Sequence, residues 1–546
     1  MRHFRSSIIK GLLNLKESIY IKTTFFFLIL VKNMEVIYSS SYNLVALLLI
    51  FFPFLFTQLL RKSSTAKEKL PPGPWRLPII GSLHHLRGAL SFPHRTLKNL
   101  ATKYGPIMYL QLGEIPAVIV SSPIMVKEIL KTHELAFATK PQLTSIDITT
   151  YNYKDIAFAP YGDKWRQMRN ICVTELLGTK TVKSFSSIRK DEITRLLSSI
   201  RSTNGTRLVN LTELILRYTN SVTCRSAFGK VCTNQHHLIN LLRDVLDTLG
   251  GFDVSDLFPS WKLLHKMSGV KSELLRMHKK VDEALENIVN EHIKNRALGC
   301  KGNGDKLIGG EDLVDVLLRI KENGELQFPI TSDHIKAIIS DMFAAGTETS
   351  AATIIWALSE MMRKPKIMAK AQNEVRQVFK GKITFYEDDL DKLTYLKLVI
   401  KETLRLHPPS TLLPRECRKQ TYINGYTIPP KTRVLINTWA LGRDSESWDD
   451  PESFIPERFE NSPVDYMGNY YKFIPFGSGR RICPGMQFGL TNVKHPLAQL
   501  LYHFDWVLPY GANPEDLDMI EKNGLSAAKH RDLCLIAIEH KNDDKI

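Results

Sequence analysis

Between Asp333 and Lys364 the chain runs for 32 residues without a proline, and Pro365 closes the run. As an α-helix this stretch would be roughly 48 Å long, enough to cross an entire domain. A chain containing it is committed to a large body built around one central rod. Halfway along sits Ala344-Ala345-Gly346-Thr347-Glu348-Thr349-Ser350. Small side chains there let a flat ligand approach the backbone, and a Thr hydroxyl can bond the carbonyl four residues back and loosen the helix. A patch of small residues serves plain helix packing equally well, so this segment decides nothing by itself.

The rest of the chain can supply that body. Of 546 residues, 43% are hydrophobic and 24% charged, which excludes a disordered chain. Amphipathic stretches dominate from Trp165 to Leu406. A strand pair is predicted at Ile107–Leu112 and Ala117–Ser121 around Gly113-Glu114, and a few short strands near Tyr422–Thr438. The helix at Trp165 is given Asp163 as its cap. No repeat, low-complexity tract or second linker interrupts residues 71–546; the stretch Gly299–Gly310 is loop-like but short. The expected fold is one large domain, mainly α with a small β region.

The amino-terminal part reads differently. Tyr42–Leu60 is 19 residues without a charge, a helix of roughly 28 Å and close to a bilayer core. Arg61, Lys62, Lys67 and Lys69 follow at once, the cytoplasmic flank of the positive-inside rule. No small-residue cleavage site follows, which disfavours a signal peptide. Residues 34–62 are therefore read as a single-pass anchor and 63–80 as a basic linker with a proline hinge, Leu70-Pro71-Pro72-Gly73-Pro74. Residues 81–546 form the large domain. Residues 1–33 carry six bases against one acid and are taken as an uncertain leader upstream of a working start at Met34. This topology leaves the domain in the cytosol, where the sequons at Asn204 and Asn210 stay unmodified. The net charge of +17 fits an acidic partner or a membrane surface; nucleic acid is not expected.

Seven scattered cysteines without a Cys-x-x-Cys pair exclude a disulfide framework and a zinc ribbon. One of them is placed for chemistry, in Phe476-Gly477-Ser478-Gly479-Arg480-Arg481-Ile482-Cys483-Pro484-Gly485. Glycines let the backbone fold closely around a sulfur. Pro484 introduces a helix from about Met486, whose positive end stabilises a thiolate.

This segment resembles the heme-thiolate loop of the cytochrome P450 family, Phe-x-x-Gly-x-Arg-x-Cys-x-Gly, with every fixed position matched. The resemblance implies that Cys483 is the axial ligand of heme iron (heme b), that Arg481 contacts a heme propionate and that Phe476 packs near the sulfur. It makes Glu348 and Thr349 the acid–alcohol pair of proton delivery. Trp165 and Arg169 match the family's Trp-x-x-x-Arg helix, which holds a propionate, and Arg415 is a further propionate residue. Glu402 and Arg405, three apart on one helix face, join Arg458 in a structural Glu-Arg-Arg network beneath the heme. The narrower likeness is to plant A-type microsomal members, a group with sesquiterpene and indole-alkaloid hydroxylases. It is carried by Pro71–Leu83, Gly250-Gly251-Phe252-Asp253 and Tyr502-His503-Phe504-Asp505-Trp506.

The resemblance implies a monooxygenase of the endoplasmic reticulum membrane, with its catalytic domain cytosolic. It takes O2 as co-substrate and electrons from NADPH through a flavin reductase, with cytochrome b5 as a further possible donor. The substrate is a small apolar metabolite. Thr144–Ile148, Leu249-Gly250, Met342, Ser410–Leu413 and Leu525-Ser526 are its expected contacts. Apart from Asp147 these are apolar with scattered hydroxyls, which favours a sesquiterpene or diterpene over an alkaloid or phenolic. An O2-independent heme-thiolate isomerase or dehydratase is the rival of another class, and it has no use for the acid–alcohol pair. Two departures from the likeness stand out: Lys494-His495 where a Glu-Leu pair is expected, and a Pro408–Pro414 segment one residue short.

Overall fold

The proline-free stretch folds as one unbroken helix, Ser332–Arg363, one residue earlier at each end than the 333–364 expectation. The shift has a local cause. Thr331 accepts the backbone N–H of His334, and the His334 ring accepts that of Thr331, a reciprocal cap. This helix is the axis around which a computed structural model arranges the rest. The structure describes residues 69–540 apart from 87–91, 230–252, 263–264, 266–268, 299–310, 325, 383–384 and 523–525. Residues 1–33, the anchor at 34–62, residues 63–68 of the basic linker, Leu249-Gly250 and Leu525 lie outside the described residues. Among the described residues no helix is long and apolar enough to cross a membrane.

In chain order the main elements begin with α1 (Pro93–Tyr104), β1 (Ile107–Leu112), β2 (Ile115–Val120), α2 (Asp163–Ile171) and α3 (Ser186–Arg201). Then come β3 (Leu208–Asn210), α4 (Leu211–Phe228), α5 (Val270–Ala297), α6 (Leu313–Asn323) and the central α7 (Ser332–Arg363). The chain continues through α8 (Pro365–Val378), α9 (Thr394–Leu406), β4 (Leu412–Glu416), β5 (Thr421–Ile423), β6 (Tyr426–Ile428) and β7 (Arg433–Asn437). It ends with α10 (Met486–His503), β8 (Phe504–Val507) and β9 (Cys534–Glu539). The principal sheet has the order β1-β2-β7-β4, with β2 and β7 parallel and the other two pairs antiparallel. A second sheet runs β3-β9-β8. Helices far outweigh strands, as expected.

Two local expectations shift. The second strand starts at Ile115, so Gly113-Glu114 alone make the turn; Gly113 has φ +61°, and a Cβ there would lie 2.6 Å from the Leu257 carbonyl. Asp163 is not the cap of its helix. Gly162 holds that position, and Asp163 sits in the first turn, paired with Arg166. An acid there still meets the positive helix end.

The largest core joins α4, α7, α9 and α10 through Val222, Ile354, Trp356, Leu396 and Leu497. Beside it Glu402, on α9, is wholly buried and gathers four hydrogen bonds. Arg405 gives it two at 2.7 Å, Arg458 one at 2.9 Å and the Ile455 N–H one at 2.8 Å. Arg405 also donates to the carbonyls of Gly442, Pro451 and Ser453. One carboxylate and two guanidiniums thus gather the loop 442–458 onto α9. The departure Lys494-His495 is accommodated on one neighbour, the turn Glu387–Lys392. Lys494 donates to Asp391 at 2.8 Å, and His495 lies 3.6 Å from Glu387, which Arg189 also holds.

Removing one member of a buried ion pair leaves the other charge uncompensated, at a cost of about 3–5 kcal/mol. Glu402→Leu should therefore lower the midpoint of unfolding by that order and leave little heme-retaining protein, whereas exposed Glu213→Gln should change neither. Burial alone would raise the Glu387 carboxyl, but its hydrogen bonds and charges from Arg189 and His495 outweigh burial and hold it down at about 2. Its stabilisation is thus present above its ordinary value of 4.5 and lost as pH falls toward 2. Denaturation curves of Glu387→Gln should run parallel to wild type above pH 5, at lower stability, draw together below pH 4.5 and meet only near pH 2.

Candidate active site

Cys483 stands at the end of a loop tied to itself. Its N–H donates to the Phe476 carbonyl at 2.8 Å, and Gly477 and Gly479 turn the chain at φ +77° and +66°. At Gly479 a side chain has no room: a Cβ would lie 2.7 Å from the Glu134 carboxylate and 2.9 Å from the Leu130 carbonyl. Glu134 fixes the loop from outside, accepting the Arg480 N–H at 2.6 Å and its Nε at 3.0 Å. Phe476 is partly buried, its ring edge-on to Tyr466 at 5.9 Å. The helix α10 opens at Met486 as expected, with Gly485 as its N-cap. Burial pushes the Cys483 thiol up, opposed by a hydrogen bond from Gly485 and by the charges of Arg169 and Lys140. Those are the groups that favour a thiolate once a cation stands beside the sulfur.

The predicted basic residues converge here from separate elements. Arg169, on α2, donates to the Ile482 carbonyl next to the cysteine. Arg481 donates to the carbonyls of Ala138 at 2.7 Å and Ala159 at 2.5 Å, with its guanidinium 4.0 Å from the Trp165 ring. The Trp165 indole donates to the Ile156 carbonyl at 3.0 Å. Arg415, on β4, is buried, and among the described residues its guanidinium bonds only the neighbouring Pro414 carbonyl, at 2.8 Å. A fourth cation, Lys140, belongs to the group and was missed in the sequence. Burial, then repulsion by Arg415 and Arg481, lowers it to about 7. Burial likewise lowers Arg481, aided by Arg415, to about 9 and Arg415 to about 10. The only sequence signal for Lys140 is a lone cation closing the apolar run Leu135–Ala138 ahead of Pro141.

Two acids were also missed. Asp341, on α7, accepts the N–H groups of Ile156 and Ala157 at 2.8 and 3.1 Å; Asp155 accepts that of Phe158 at 2.7 Å. Burial raises both carboxyls, and Asp155 further repels Asp341. They strap the loop 155–159 whose carbonyls hold Trp165 and Arg481. For Asp341 the signal was an acid inside an apolar helical run, Ile338–Phe343; Asp155 offered none.

One side of the α7 patch is accessible although it lies midway along a core helix: Ala345 is exposed, between buried Phe343 and Thr347. Thr349 Oγ1 donates to the Ala345 carbonyl at 2.6 Å, the expected back-bond, yet the helix stays continuous. Glu348 is half-buried beside it. Of the expected substrate contacts, Leu413 reaches the cysteine loop, 3.9 Å from where a Gly477 Cβ would stand. Ile146 is spent on a small core with Leu274 and Met277, Met342 packs against the main core, and Ser526 is buried. Glu402, Arg405 and Arg458 do not reach the cysteine; they form a separate centre against α9.

Heme fits this arrangement on the protein's own chemistry. Among the described residues no carboxylate comes within ion-pair distance of Lys140, Arg169, Arg415 or Arg481. Arg415 is buried and the other three are partly so; cations withdrawn from water in that state call for an anionic partner, and two propionates supply one. Cys483 offers the sulfur, and the small-residue face of α7 offers room for a flat ring.

Comparison with known proteins agrees. The Cytochrome P450 family model matches residues 71–535. The chain is 58% identical to premnaspirodiene oxygenase from Hyoscyamus muticus, over 92% of this chain and 99% of that protein. It is 57% identical to 5-epiaristolochene 1,3-dihydroxylase from Nicotiana tabacum, over 92% and 99%. To costunolide synthase from Cichorium intybus it is 49% identical, over 90% and 97%. A solved zebra fish cytochrome P450 with progesterone superposes with a TM-score of 0.69 at 25% identity, covering 82% of this chain and 99% of that one. With the match running from the proline hinge into the last strand and the relatives aligned nearly end to end, the chain is a monooxygenase of the cytochrome P450 family.

Proposed function

We propose that this protein hydroxylates a sesquiterpene, or a closely related terpenoid, at the membrane of the endoplasmic reticulum. Electrons come from NADPH through a flavin reductase, with cytochrome b5 as an auxiliary donor, and Tyr42–Leu60 is the anchor. The observation that carries the reading is the likeness, nearly end to end, to oxygenases whose names place them on sesquiterpenes. Heme, when bound, supplies the activation of O2. The chain's own residues do the rest. Cys483 gives the sulfur ligand, while Lys140, Arg169, Arg415 and Arg481 hold the propionates. Leu413 and the apolar part of Ser410–Leu413 keep water from the reacting carbon. Thr349 is held at the Ala345 carbonyl, which leaves its oxygen to accept a proton donor on the open face of α7, and Glu348 relays protons toward it.

A second reading rests on Asp147. It is half-buried, and among the described residues no cation pairs with it, so an amine-bearing alkaloid would find a counter-charge there. Expression in yeast with a plant reductase decides between them. Microsomes fed premnaspirodiene, 5-epiaristolochene and a panel of diterpenes and alkaloids should yield hydroxylated sesquiterpenes. Turnover of alkaloids alone would replace the first reading with the second.

Two variants test the assignments. Reduced wild-type protein with CO should show the red-shifted Soret band of thiolate ligation; Cys483→Ala should abolish it, and Cys172→Ala should keep it. Thr349→Ala should retain heme and substrate binding but lose product, because acid–base assistance is worth about 10²–10⁴-fold. NADPH consumption should persist with hydrogen peroxide as its outlet, and Thr349→Ser should be milder.

A further inference from the structure

Glu521 lies in no motif of the sequence and outside the cysteine site, yet its carboxylate is 1% exposed and fully engaged. Oε2 lies 3.0 Å from His94 Nε2 and accepts Arg95 Nη2 at 2.9 Å, both from α1. Oε1 accepts the Trp439 indole N–H at 3.1 Å. Burial opposes the charge, but His94 and Arg95 outweigh it and hold the carboxyl down at about 2. The residue belongs to one arm of a narrow hairpin. Glu521 bridges Lys529, the Lys522 N–H donates to Ala528 at 2.6 Å, and the His530 N–H donates to Ile520 at 2.8 Å.

The other arm is pinned independently. Ala527 accepts the Trp356 indole N–H from α7 at 2.8 Å, and its own N–H donates to the Pro409 carbonyl at 2.9 Å. Pro409 leads into β4, whose Leu413 meets the cysteine loop. Beside Ala527, Ser526 is 8% exposed and its hydroxyl has no hydrogen-bond partner among the described residues. One backbone hydrogen bond thus couples the hairpin to the segment whose Leu413 meets the cysteine loop. A buried ion pair adds little net stability compared with apolar packing, but it admits few geometries. That combination suits alignment better than cohesion.

We infer that Glu521 is a positioning residue: its clamp on His94 and Arg95 sets where the hairpin and the Pro409–Leu413 segment stand over the cysteine loop, and so which carbon of the substrate is presented. The inference rests on the terpenoid-hydroxylase reading for its product readout only. The test uses the full-length holoenzyme with reductase. Glu521→Gln places an amide N–H where Oε2 faces His94 and both Nε and Nη2 of Arg95. It should speed hydrogen exchange of the Lys522 and Ala527 amides at least tenfold while leaving α7 unchanged. It should also alter the ratio of regioisomeric alcohols at least threefold, with the CO spectrum retained. Arg95→Met leaves the carboxylate with His94 and should move the ratio in the same direction by a smaller factor; it carries the test if Glu521→Gln does not fold. Unchanged exchange overturns the inference, and so does faster exchange with an unchanged product ratio, which would make the clamp a fold element alone. If wild type converts none of the sesquiterpenes, the functional reading fails and the clamp is judged separately. Exchange must then still rise, and the spectral Kd for 4-phenylimidazole must change at least threefold; constancy of either overturns it.

Discussion

Positive charge gathered, among the described residues, with no carboxylate at ion-pair distance governs this molecule. Lys140, Arg169, Arg415 and Arg481 come from four distant stretches and meet behind one loop, each lowered by burial, and Lys140 and Arg481 also by neighbouring arginines. Such an arrangement is costly in the bare protein, because like charges removed from water repel strongly. A dianionic ring relieves the repulsion, so cofactor binding and fold stability are linked in this chain. The acids that do approach, Asp155 and Asp341, spend hydrogen-bonding capacity on backbone N–H groups of the loop 155–159. They shape the basic site rather than neutralise it.

A division of labour results. Glu402 and its arginines are fully paired and hold loop 442–458 to α9, where no reacting group is needed. The cysteine loop is held by its own backbone bond and by Glu134, leaving the sulfur facing inward. The same residue types, arginine and carboxylate, thus serve cohesion in one place and ligand capture in another. The difference lies in whether the carboxylate is present.

Much of this was legible in the sequence where a residue's neighbours along the chain define its role. The rod around Thr349, the glycine-bounded loop at Cys483 and the strand pair at Ile107 and Val120 are local patterns, and they stand within a residue or two of expectation. Lys140, Asp155, Asp341 and Glu521 carry no such pattern. Their roles arise from partners more than a hundred residues away in most cases, as with His94 and Glu521, and no periodicity encodes that. Asp163 failed as a cap for a subtler reason: a glycine ahead of it took the extended position, and the acid entered the first turn. The unexpected Lys494-His495 pair was readable as a departure but not as ion pairing, since its partner turn lies on another element.

The pairing of β2 with β7 joins Ala117 to Arg433, and that of β3 with β9 joins Leu208 to Ile536. Both sheets therefore close on strands from the far end of the chain. During synthesis, the amino-terminal half emerges with strand edges that have no partner until residues 433–437 and 534–539 have been made. The basic residues 140 and 169 wait equally long for 415 and 481. By topology both sheets close late, and the waiting half-chain is the state most exposed to wrong pairing.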